Sequence, residues 1–197
     1  YPNEIHLPVE IATALAEVNM ALGNVIEARI ILEKSRLQYP QNTRVLVLLG
    51  LLHGRAGELD EAATVLEKSL ELGETTPDLL KNLAIVYLRQ NRPNMAVTYL
   101  EKVCKLVPDD PSSWYSLGNA YYQMGSGVRA VEAYSRALEL RSPWPEAMFN
   151  LGIVASEVGR REIAIKAFRD YLAVASDTDT TRREAAEKQL SRLTQQN

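Results

Sequence analysis

The chain has 197 residues, 46% of them hydrophobic and 24% charged, and a formal net charge of −3. Without a surplus of Lys and Arg it does not read as a general nucleic-acid binder. No apolar run approaches the roughly 18 residues of a membrane span, and a single cysteine, Cys104, excludes an internal disulfide.

Residues 1–8 read as a short lead-in, and the chain opens at Tyr1 instead of a methionine, as a segment of a longer or processed protein would. From residue 9 one interval governs the sequence. Leu15, Leu49, Leu83, Leu117 and Leu151 are each 34 residues apart, and Ala28, Ala62, Ala96, Ala130 and Ala164 keep the same spacing. A turn residue keeps it as well, at Gly23, Gly57, Asn91, Gly125 and Gly159. A fixed period of this length marks a stacked array of helix pairs. Counting the leucine as position 7 gives five repeats without insertion: 9–42, 43–76, 77–110, 111–144 and 145–178.

Each repeat opens with apolar residues at positions 4, 7 and 11 and a small residue at 8, as in Trp114, Leu117, Gly118 and Tyr121. That spacing places them on one face of a helix. A second helix begins before position 20, as in Ala130, Tyr134, Ala137 and Leu138. Small residues at positions 8 and 20 let the two helix backbones approach. Pro77, Pro111 and Pro145 open first helices and Pro93 opens a second one, where a missing N–H costs nothing. The residue at position 15 is expected to be left-handed, and Pro40 and Pro108 to end second helices. Residues 179–197 read as a capping helix, with Ala185, Ala186, Leu190 and Leu193 on its inner side and room for Tyr171 beside the two alanines.

These features resemble the tetratricopeptide repeat family over residues 9–178, most closely in the fourth repeat and least in the first, where Ala12, Asn19 and Ser35 depart from the usual residue types. The resemblance implies an all-α solenoid of about eleven helices, a right-handed superhelix of antiparallel pairs. It implies a non-enzymatic scaffold that binds a protein or peptide partner in its concave groove, or the substrate-selecting arm of a larger enzyme or assembly. No cofactor is implied, and no metal, nucleic acid or direct membrane insertion. Either a cytoplasmic or a periplasmic setting is compatible with it.

Family positions on the first helices imply the groove residues. The second repeat supplies Arg44, Val47, Leu48, Leu51 and Arg55, and the third Lys81, Asn82, Ile85, Leu88 and Arg89. The fourth supplies Tyr115, Asn119 and Tyr122, and the fifth Phe149, Asn150 and Ile153. An apolar and aromatic lining suggests a protein-binding site; packing between neighbouring first helices is the alternative. Arg44, Arg55, Lys81 and Arg89 form a basic cluster that could receive a carboxylate or be ordinary solvated charge. The family's carboxylate clamp is not present, since Ile85 stands where Lys81 would need an asparagine partner. Asn82 and Asn150 resemble an asparagine ladder that grips peptide backbones, interrupted by Ala14, Leu48 and Ser116.

Chemistry of other kinds finds little support. His53 shares the position of Tyr87 and Tyr121 and reads as a packed, hydrogen-bonded residue, and Cys104 as a small core filler. At the N-terminal face, Ile11, Val18 and Leu22 lie where internal repeats turn toward a preceding repeat. Ile5 and Leu7 folding back, an upstream repeat or a second copy of the chain could cover them.

Overall fold

The computed structural model describes residues 7–195, which form eleven α-helices and no strand. They divide into two compact bodies, Tyr1–Gln90 and Asn91–Asn197. The first holds α1 (Val9–Ala21), α2 (Val25–Gln38), α3 (Thr43–Ala56), α4 (Leu59–Glu71) and α5 (Pro77–Arg89). Each of these helices packs on the next, and α3 also touches α1 and α5. The second holds α6 (Pro93–Leu106), α7 (Pro111–Gln123), α8 (Gly127–Leu140), α9 (Pro145–Glu157), α10 (Arg161–Val174) and α11 (Thr180–Gln195). Again each packs on its successor, and α11 also reaches α9.

Local chemistry starts and stops these helices where the spacing predicts. Asn42, Thr76 and Asp110 accept backbone N–H bonds from Val45, Leu79 and Ser112, satisfying donors that the first turn leaves open. Pro77, Pro93, Pro111 and Pro145 each sit at the first helical position. The tight turns after α3 and α5 need a left-handed residue, and Gly57 (φ 83°) and Asn91 (φ 58°) supply it. Pro40 and Pro108 follow the ends of α2 and α6, which they prevent from continuing.

Packing within a hairpin depends on close backbone approach. A Cβ added to Gly50 would lie 2.5 Å from Leu66, one on Gly118 2.6 Å from Tyr134, and one on Gly152 2.7 Å from Phe168. These are positions 8 and 24 of three repeats, so the large residue of the second helix fills the notch that the glycine leaves in the first. The first repeat solves the same problem with Ala16 and Leu32, both fully buried. Between hairpins, Leu32 of α2 joins Val45, Leu49 and Leu52 of α3 in one apolar cluster.

A further set of bonds ties successive hairpins, and sequence reading saw only one half of it. The Tyr87 hydroxyl donates to Glu67 at 2.6 Å, and the Tyr121 hydroxyl to Glu101 at 2.6 Å. His53 takes the same place: its Nε2 lies 3.8 Å from Glu33, and its Nδ1 lies 2.5 Å from Glu58. At position 11, His53, Tyr87 and Tyr121 therefore each meet the glutamate 20 residues earlier, at position 25 of the preceding repeat. His53 is a packed, bonded residue, as expected. The Arg129 guanidinium stacks 4.1 Å above the Tyr121 ring and donates to Glu101 at 2.6 Å. The bond from Tyr121, opposed by burial and aided by Arg129, holds the Glu101 carboxyl below its ordinary value of 4.5.

The last helix covers the end of α10. Ala186 and Leu193 are buried, Ala185 and Leu190 half-buried, and Arg161 donates to the Leu193 carbonyl at 2.8 Å. Tyr171 is fully buried, with its hydroxyl 3.0 Å from Asp179. Among the described residues the first hairpin has no such cover: Ile11, Leu15, Val18 and Leu22 are exposed. Leu7 is itself exposed and does not shield them, and Ile5 lies outside the described residues.

Gly118→Ala should lower stability in urea denaturation followed by circular dichroism. Overpacking costs about 1–3 kcal/mol, against about 1 kcal/mol gained from better helix propensity. In a Tyr134→Leu background, the pairing that the first repeat uses, the same change should cost less. For Glu101, a depressed pKa contributes stability that is complete above 4.5 and is lost as pH falls below it. Thermal melts across that window should therefore show a steeper fall for the wild type than for Glu101→Gln.

Candidate functional site

The first helices of each body carry the residues expected to meet a partner. In the first body, Val47 and Leu51 on α3 and Leu88 on α5 are half-buried, and Ile85 is exposed. Asn82 and Lys81 are half-buried on α5. Leu48 is a correction. It is only 4% exposed, packed in the cluster around Leu32, Leu49 and Leu52, because α1 and α3 lie close enough to close over it. It offers no surface to a ligand.

The basic residues of this body are also differently placed from the expected cluster. Arg44 pairs with Glu17 of α1, and the Arg89 guanidinium donates to the Gly54 carbonyl near the end of α3. Both cations thus satisfy groups of this chain before any partner arrives. For Arg89 the reason is local: α3 ends at Ala56, so the Gly54 carbonyl accepts only the Gly57 N–H at 3.2 Å from the backbone and has room for a second donor. Arg55 is exposed.

In the second body the expected residues meet in two connected groups. Tyr115 of α7 stacks at 4.7 Å on Trp144, which begins α9, and stands 5.7 Å from Tyr134 of α8. Asn150 of α9 donates to the Tyr115 hydroxyl at 3.0 Å, and Asn119 accepts from the Tyr134 hydroxyl at 2.7 Å. Burial pushes the Tyr134 phenol well above its ordinary value. The second group starts at Tyr122, 42% exposed, whose hydroxyl lies 3.2 Å from Glu157. Burial first, and then the Glu157 charge, raises its phenol. Phe149 packs against Tyr171 at 5.3 Å and Phe168 at 6.3 Å, while its open side has the Arg182 guanidinium at 5.9 Å. Ile153 is half-buried on the same helix.

Trp144 and Arg141 escaped sequence reasoning. The Arg141 guanidinium lies 4.6 Å over the indole, so Tyr115, Trp144 and Arg141 form a stack. A signal existed: Trp144 occupies the register of Asn42, Thr76 and Asp110, which cap first helices, yet indole cannot accept a capping bond. Glu157 falls on the family's groove positions in the fifth repeat, whereas Arg182 was missed because its role depends on which helices lie side by side.

The arrangement offers aromatic faces, amides and a few charges, and no assembled nucleophile with its base. Among the described residues no group of three or more His, Cys, Asp or Glu side chains could hold a metal, and no helix is long and apolar enough to cross a membrane. Cys104 is buried, and burial, with the nearby Asp110 and Glu101 charges, pushes its thiol up to about 12. It is an unreactive packing residue at neutral pH.

Comparison with known proteins agrees with this geometry. One tetratricopeptide repeat profile matches residues 43–109 and another matches residues 81–147. No curated protein matches the sequence. YrrB, a TPR protein with an unusual peptide-binding site, is similar in structure with a TM-score of 0.78 at 19% identity, over 90% of this chain and 90% of that one. A crystal structure of MamA is similar with a TM-score of 0.74 at 21% identity, over 93% of this chain and 99% of that one. At such identities the likeness is one of fold. Hairpins with notched first helices, together with the two profile matches, make this chain a member of the tetratricopeptide repeat family, an all-α solenoid class that serves as a protein-interaction module.

Proposed function

We propose that the chain is a non-enzymatic scaffold that holds an extended peptide or an amphipathic helix of a partner protein against the open sides of its first helices. One observation carries the reading. First helices keep large apolar and aromatic side chains at positions that the internal packing covers only in part: Ile85 and Leu88 in one body, and Tyr115, Tyr122, Phe149 and Ile153 in the other. A helix side facing only water would carry polar residues there. Rigid aromatic side chains are favoured binding anchors because little entropy is lost in fixing them.

The bonds around these side chains support a preorganised surface. Tyr115 is held by Asn150 and Trp144, and Tyr122 by Glu157, so their rings are set before a ligand arrives. Asn119 and Asn150 bring amides that suit a peptide backbone, and Arg55 and Lys81 bring charge that would favour an acidic partner. YrrB, whose fold the chain shares, is a TPR protein with a peptide-binding site, which favours a peptide as the ligand. The same surface would serve equally as the selecting arm of a larger assembly.

The test is selection of displayed random peptides on the whole chain, followed by titration of the recovered peptides. Tyr122→Ala should weaken them roughly tenfold or more without changing the helical signal, while Tyr122→Phe should retain most of the affinity. Recovery of no peptide, or wild-type affinity in Tyr122→Ala, would overturn the proposal.

A further inference from the structure

We propose that two copies of this chain pair through the open face of the first hairpin, with α2 of one copy antiparallel to α2 of the other about a twofold axis. Comparison between repeats identifies the face. Positions 3, 7 and 10 are buried in the second repeat as Val45, Leu49 and Leu52, against the hairpin that precedes them. In the first repeat they are Ile11, Leu15 and Val18, all exposed, with Leu15 at 42%. An uncovered packing face alone would fit many neighbours.

A second feature of α2 is independent of that face and narrows the choice. Positions 18 and 22, on the outer side of second helices, are Asp60 and Thr64, Asn94 and Thr98, Val128 and Glu132, and Glu162 and Lys166 in the later repeats, and all eight are exposed. In the first repeat they are Ile26 and Ile30, at 72% and 52% exposure. Repeat packing makes no use of these positions, so an upstream repeat would not explain the isoleucines. A partner lying directly on α2 itself would use them.

Charge identifies the occupant. Ile26 and Ile30 are spaced as d and a of a heptad, and Glu27 and Lys34 fall seven residues apart on one flank, both at e. In an antiparallel pair related by a twofold axis, equal flanks face each other. A crossing centred between Ile30 and Ile31 then sets Glu27 of each copy opposite Lys34 of the other. Both residues are exposed, and neither makes an ion pair among the described residues. Lys34 and Ile30 also line, with Leu7, Ala12 and Ile31, the hollow between α1 and α2. Head-to-tail stacking on α11 is disfavoured, because Arg182, Glu184, Glu187, Lys188 and Arg192 make its exposed side polar. An isologous pair closes on itself and leaves no further copy to add.

Sedimentation velocity over a wide concentration range tests this. The wild type should shift with concentration from 22.0 kDa to twice that mass. Ile30→Glu should keep the helical signal and remain at the lower mass. Lys34→Glu should weaken association roughly tenfold, and Glu27→Lys combined with Lys34→Glu should restore it. A wild type that stays at 22.0 kDa overturns the proposal. So does a dimer indifferent to Ile30→Glu, or a double charge exchange that fails to rescue Lys34→Glu.

Discussion

In three of the repeats the first helix comes so close to the second that no Cβ fits at position 8 without displacing Leu66, Tyr134 or Phe168. Everything else in the fold is arranged around that approach. A narrow hairpin puts the large residue at position 24 entirely out of water, and each buried side chain of that size contributes about 1.5–3 kcal/mol. The same narrowness sets where α3 and α9 stand relative to their neighbours, and so which side chains of a first helix are consumed by packing and which are left over. The glycine is unfavourable for the helix that contains it; the ring or leucine seated in its place more than offsets that.

The leftover positions are where the repeats differ, and they carry what is particular to this chain. Trp144 stands where Asn42, Thr76 and Asp110 cap their helices, exchanging a capping bond for a stack with Tyr115 and Arg141. Ile26 and Ile30 stand where other repeats carry mostly polar residues. Neither substitution disturbs the notch, so the scaffold tolerates both. The array separates residues that build the hairpin from residues that face outward, and selection can act on the second set without endangering the first.

How much of this was legible in the letters depended on whether a residue's environment is local. Helix ends, left-handed turn residues and the close approach allowed by a small residue at position 8 follow from spacing and short-range chemistry, and they could be read from Pro77, Asn91 or Gly118 directly. Burial that depends on a neighbouring hairpin could not. Leu15 has the same letter and register as Leu49, yet one is open and the other closed, because only α3 has a preceding hairpin against it. Leu48 and Val47 look interchangeable in sequence and differ by which side of α3 faces α1. Arg44 and Arg89 look like free cations until Glu17 and the Gly54 carbonyl are placed beside them. The glutamate partners of His53, Tyr87 and Tyr121 were readable in principle, since their spacing recurs, but a charged residue on a helix is ordinarily taken as solvation.

Those ties have one gap. Position 11 of the fifth repeat is Ala155 and position 25 of the fourth is Ser135, a pair too short to bridge in the way Tyr121 and Glu101 do. Between α7 and α9 the bridging is done instead by Tyr115 with Asn150 and by Tyr122 with Glu157. Cohesion in a linear array is a sum over its junctions, and at this junction part of the sum is held by the very groups that a peptide would seek. A ligand that takes the Asn150 amide or the Glu157 carboxylate takes it from a tyrosine of the preceding hairpin. Under the proposed function, occupancy and internal cohesion would draw on the same hydrogen bonds, and the seam between these two hairpins would be the place where the molecule registers a bound ligand.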